Sequence, residues 1–166
     1  PADQPADQPA QPAEGDRSLI TMDPPEHGPA RRAVLGEFTV RRVAALRPRM
    51  QQIGDELLDA MLAGPNPADL VEALSLPMPS MVICALLGVP YADHDYFQSR
   101  TTALIKRGTP MPERLRARDE LRQFLDDLVT AKEKEPTDDV LGRQVLRRRA
   151  TGETDHDGLV ALAFLL

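Results

Sequence analysis

Apolar residues returning every three or four positions, with no convincing alternation at every second, constrain this chain more than any other feature. Val43, Leu46, Met50, Ile53, Leu57 and Met61 step along a single helical face, because positions so spaced share a side at 3.6 residues per turn. Pro48 falls inside this run, and proline suits the first turn of a helix rather than its interior. The spacing therefore predicts a long helix starting near Pro48, after a short turn, and ending at Gly64-Pro65.

The same punctuation recurs downstream. "PMPSMVICALLGVP" reads as an apolar helix closed by Gly88 and Pro90; being apolar all round, it is expected to be buried. Asp93 is expected to cap a helix over 94–106, ended by Gly108 and Pro110. "PERLRARDELRQFLDDLVTAKEKEP" sets Leu115, Leu121, Phe124, Leu125 and Leu128 roughly on one face. Thr137, Asp138 and Asp139 open a short helix, acids being favoured at the positive end of the dipole. Thr154-x-x-Asp157 reads as a capping box before "GLVALAFLL". The expected fold class is all-α.

The 166 residues suffice for one domain or a large piece of one. Residues 1–15, "PADQPADQPAQPAEG", carry no apolar periodicity and are expected to be a disordered lead; residues 16–166 form the domain. The closing apolar helix needs neighbours on every side, so the chain is expected to be the front part of a larger domain. With no Trp and 4% aromatics, the core must rest on Leu, Val, Ile, Ala and Met. A formal charge of −6 argues against a nucleic-acid binder. The lone Cys84 excludes an internal disulfide and suits the cytoplasm. No signal peptide is visible, and no apolar run reaches the roughly 18 residues of a membrane span.

Chemistry is sparse. His94 and His156 each lie beside an Asp at a helix start and read as surface or capping residues. There is no zinc-type Cys/His spacing and no glycine-rich phosphate loop. Asp126-Asp127 and Asp138-Asp139 are adjacent, so their members point to different helix faces and make poor acid–base partners. Cys84, inside an apolar helix, reads as an inert small hydrophobe. No catalytic residue and no metal ligand is expected in these residues.

"MDPPEHGPARR" is the exception. With Asp23 as cap and Pro24 first in the helix, His27 and Arg31 share a face and can reach one anion, aided by the helix N-terminus. Alternatively Gly28 caps and Pro29 comes first, which leaves His27 outside the helix. Charge is also uneven: six arginines stand against Glu37 in residues 31–50. That block reads either as a docking face for an acidic partner or as a solvated helix face.

Several strings then agree in order and spacing with one family. "MDPPEH…RR", "EFTVRRVAALRPRM", "DLVEALSLPMPSMVICALLGVP", "YADHDYFQ" and "DGLVALAFLL" resemble the bacterial cytochrome P450s over about Glu14 to Leu166. The resemblance implies a partial haem-thiolate fold, from before the third main helix to the start of the long central one. It implies that His27 and Arg31 bind the haem propionates, although Gly28-Pro29 departs from the family's usual Thr. It implies a ferredoxin-type electron donor docking near Arg31, Arg32, Arg41 and Arg42, and a substrate roof from helices 94–106 and 114–134. The activity implied is hydroxylation of a small or macrocyclic organic substrate, with O2 and electrons from NAD(P)H. The family's Ala-Gly-x-x-Thr turn, its Glu-x-x-Arg pair and its iron-ligating cysteine are expected beyond Leu166. Cys84 is not that ligand, so the chain as given is expected to be catalytically incompetent. The alternative is a non-catalytic helical remnant or small binding domain.

Overall fold

The structure, a computed structural model, describes residue 19, residues 22–25 and residues 27–166, apart from the side chains at 29, 30 and 33. The expected lead over 1–15 lies outside the described residues. Among the described residues seven α-helices follow in order: α1 (His27–Leu35), α2 (Val40–Ala63), α3 (Pro77–Leu87), α4 (His94–Ile105), α5 (Met111–Lys134), α6 (Val140–Thr151) and α7 (His156–Leu165). No strand occurs among the described residues, and no described helix is long and apolar enough to cross a membrane. The all-α expectation holds.

Helix α2 corrects the boundary drawn at Pro48. It begins eight residues earlier, where the Thr39 hydroxyl accepts from the Arg42 N–H, and runs through Pro48 without a break. The proline deprives only the Ala44 carbonyl of its helical donor, and both residues are exposed, so water can serve that oxygen. Of the apolar row read from the sequence, only Ile53 is fully buried.

Helix α3 starts on Pro77 and ends as expected at Gly88, whose φ of +69° is left-handed. Only Pro77, Cys84 and Leu87 of α3 are buried, which corrects the expectation of burial on all sides. Asp93 makes no capping bond; a 3-10 turn over Tyr91–Asp93 feeds directly into α4 instead. At α7 the cap is displaced by one residue from the expected box. Asp155, not Thr154, accepts from the Gly158 N–H at 2.8 Å.

The core forms around α5. Leu121, Leu125, Leu128 and Val129 are buried against Cys84 and Leu87 of α3, Phe97 of α4, Leu141 and Val145 of α6, and Leu159, Val160 and Ala163 of α7. Leu125 and Val129 have no exposed surface, which stabilises the fold by roughly 1.5–3 kcal/mol each. Leu115, expected on this face, is instead largely exposed near the start of α5.

Candidate functional site

The candidate anion site, His27 and Arg31, lies at the start of α1. Asp23 contributes its backbone: the His27 N–H donates to the Asp23 carbonyl at 3.2 Å. The helix starts on His27, which corrects both starts read from the sequence. Pro29 then falls in the first turn, a position that tolerates proline. His27 is half-buried and Arg31, one turn on, is exposed; the i, i+4 spacing puts them on one face. Glu26 lies outside the described residues. Neither the His27 imidazole nor the Arg31 guanidinium has a hydrogen-bond or ion-pair partner among the described residues. An imidazole, a guanidinium and a helix N-terminus make a donor set suited to a carboxylate.

The rest of the basic block is not uniform. Arg31, Arg32 and Arg41 are exposed. Arg42 is tied down, its Nη1 donating to Glu37 Oε2 at 2.8 Å. Glu37 is 7% exposed and also accepts from Arg143 Nε at 2.8 Å and from Gln144 Nε2 at 3.3 Å. Arg143 further donates to Asp138 at 2.8 Å. Burial opposes its charge, but the Asp138 and Glu37 carboxylates outweigh it and push its pKa higher still.

A second feature is an apolar cavity of about 330 Å³ among α3, α4, α5 and α7. Ile83, Phe97, Leu104, Leu121 and Phe164 line it. Ser80 also lines it, and its Oγ is buried without a hydrogen-bond partner among the described residues. The helices α4 and α5 beside it are clasped together by Arg100 Nε and Glu120 Oε2 at 2.6 Å. The Arg100 guanidinium also stacks 4.7 Å from the Tyr96 ring centroid, and Tyr96 meets Phe124 of α5 at 5.6 Å.

The other candidates resolve into structure. Cys84 is buried, and desolvation pushes its thiol up to about 12, so it is inert at neutral pH. His94 is not a surface residue: it is 8% exposed, with Nε2 3.3 Å from the Val89 carbonyl. His156 is half-buried between two carboxylates of α5, Nδ1 facing Glu133 at 3.0 Å and Nε2 facing Asp126 at 3.1 Å. Glu133 chiefly, then Asp126, holds its pKa above the usual value against partial burial. The adjacent acids diverge as expected, Asp138 to Arg143 and Asp139 to Lys132. No group of three or more potential ligands for a metal occurs among the described residues.

Known proteins show which family the chain resembles. The chain is 48% identical over 149 residues to cytochrome P450-SOY of Streptomyces griseus, covering 90% of the chain and 36% of that protein. It is 49% identical over 149 residues to the pentalenic acid synthase of Streptomyces avermitilis, covering 90% of the chain and 37% of that protein. The crystal structure of cytochrome P450 MoxA from Nonomuraea recticatena superposes with a TM-score of 0.82 at 60% identity, over 89% of this chain and 36% of that one. The chain belongs to the bacterial cytochrome P450 family. No protein-family model matches it.

The chain thus spans little more than a third of the length of these P450s. P450s bind haem, whose propionates are the kind of anion that the His27–Arg31 donor set fits. The Glu37 cluster and the His156 clasp escaped the sequence reading. Glu37 pairs with residues more than a hundred positions away. The carboxylates facing His156 sit on another helix.

Proposed function

We propose that this chain is part of a haem-thiolate monooxygenase working in the cytoplasm on a small or macrocyclic organic substrate. Electrons would come from NAD(P)H through a ferredoxin-type donor. The observation that carries this reading is the pair His27 and Arg31, set one turn apart at the start of α1 with side chains that have no partner among the described residues. When bound, haem supplies the oxygen-activating chemistry of the family. His27 and Arg31 hold it by charge-assisted hydrogen bonds to its propionates, stronger than those between neutral groups.

The exposed Arg32 and Arg41 support a cationic docking face, where charge steers an acidic donor. Arg42 contributes less to that face, since Glu37 neutralises it. The apolar cavity under α4 and α5 supports an organic substrate that is mostly hydrocarbon. Cys84, buried and with its thiol raised to about 12, is no candidate for an iron-bound thiolate. The ligating cysteine is proposed to lie outside these 166 residues, so that the chain by itself does not turn over.

The test is haem retention. In the haem-loaded full-length protein, combining His27→Ala with Arg31→Ala should speed haem transfer to apomyoglobin at least about tenfold, the equivalent of one charge-assisted bond. Unchanged transfer would remove the propionate reading. The 166-residue chain mixed with haem should show no thiolate-type carbon monoxide spectrum, and the appearance of one would overturn the placement of the ligand elsewhere.

A further inference from the structure

Helix α1, which carries the grip, lays no broad face on a neighbouring helix among the described residues. Leu35 at its end is 53% exposed. A cavity of about 90 Å³ lies between Val34 of α1 and Leu162 and Leu165 of α7. Among the described residues, apolar packing therefore does little to fix where α1 sits. The hold on it among these residues is polar and lies two residues past its end. Glu37 is buried, and its Oε2 is held at 2.8 Å by Arg143 of α6 and at 2.8 Å by Arg42 of α2. Its Oε1 takes the amide of Gln144. Backbone bonds from Glu37 N–H to Val34 O at 2.9 Å and from Phe38 N–H to Leu35 O at 3.1 Å tie this residue rigidly to the last turn of α1.

We infer that Glu37 is a positioning residue for the cofactor grip: it pins α1 to α6 and so fixes where His27 and Arg31 present their donors. The carboxylate touches neither His27 nor Arg31; it acts through the helix. One anion shared by two arginines resists displacement better than a single surface pair, because it is desolvated and held by three side chains from two helices at once. The inference rests on the propionate reading for its cofactor half and on the geometry alone for its tether half.

The experiment uses the full-length haem protein with Glu37→Gln and Glu37→Ala. Glutamine keeps the shape and one acceptor oxygen but not the charge. The first readout is hydrogen exchange of the α1 amides, referenced to the buried α5 amides at Leu125 and Val129. Exchange in α1 should rise about tenfold or more in both variants, with the α5 reference unmoved. The second readout is haem transfer to apomyoglobin, which should quicken several-fold in Glu37→Gln and further in Glu37→Ala. Unchanged α1 exchange in both variants overturns the tether. Faster α1 exchange with unchanged haem transfer overturns its link to the cofactor. If His27→Ala with Arg31→Ala leaves haem transfer unchanged, the propionate reading fails by itself, while α1 exchange still judges the tether.

Discussion

Asp139 serves three partners with two oxygens, the Thr137 hydroxyl on Oδ2 among them, and asparagine in its place separates the other two. Oδ1 accepts the Gly142 N–H at 2.8 Å and caps α6. Oδ2 takes the Lys132 ammonium at 2.5 Å, in a pair whose side chains are only 10% and 7% exposed. Asparagine has a single acceptor oxygen and an amide that donates. In Asp139→Asn, either the cap or the ammonium loses its acceptor, and the amide is turned on another donor. Bare attraction at this separation, with an effective dielectric of about 20, is roughly 7 kcal/mol, but desolvation cancels much of it. Orphaning one member of a buried pair costs about 3–5 kcal/mol. Lys132 keeps the Thr137 hydroxyl at 2.6 Å, which places the cost near the lower end, about 3 kcal/mol.

Native-state hydrogen exchange at the first turn of α6 and the last turn of α5 reads this directly, as a rise of roughly a hundredfold in the opening constant. Adding Lys132→Met removes the stranded ammonium, so the double variant should recover about 2 kcal/mol. A loss below about 1 kcal/mol in Asp139→Asn, or a double variant as unstable as the single, refutes the claim that this ammonium depends on this carboxylate.

Two further outcomes follow from other parts of the fold. The His156 clasp has both ring nitrogens facing carboxylates, and only the imidazolium can donate to both. Its folded pKa is raised above 6.5, so its stabilisation is complete below about pH 6.5 and fades as pH climbs through the folded value. Solvent screening keeps the effect under about 1 kcal/mol. Amide protection in the first turn of α7, corrected for intrinsic exchange, should fall across that window, and His156→Gln should abolish the dependence; a flat profile in the native protein counts against the clasp. Pro48→Ala restores a donor for the Ala44 carbonyl inside α2. It should stabilise the helix by about 1–2 kcal/mol, the interior penalty less the proline's stiffening of the unfolded chain. A Tm that stays level or drops contradicts Pro48 as an interior helix residue.

Local signals carried the helices and missed what depends on distance. Gly88 and Pro90 marked the end of α3 because a left-handed cap and a missing N–H act within a few residues. Pro48 misled for the same reason: a rule about first turns outweighed the better cap at Thr39. Thr154 matched a capping pattern, but the adjacent Asp155 is the residue that reaches the Gly158 N–H. His27 and Arg31 were legible as a pair through their spacing, and the order of the surrounding strings gave the pair a meaning. Glu37 was visible only as a lone acid among arginines. A tally of charge says nothing of burial, and Arg143 is 106 residues away. His156 looked like a surface residue because Glu133 and Asp126 reach it only once α5 and α7 lie side by side.

The corner between α5 and α6 sets a condition on how this sequence can drift. Asp138 belongs to the Glu37 cluster through Arg143, and Asp139 belongs to the Lys132 pair. Two charge networks, one reaching the α1–α2 corner and the other closing α5, hang on neighbouring residues. A backbone shift that relieves a substitution in one network is felt by the other, so changes in the two are coupled even though no side chain is common to both. For this stretch of chain, a change at the arginine of one helix is expected to alter the tolerance for change at the lysine of the other.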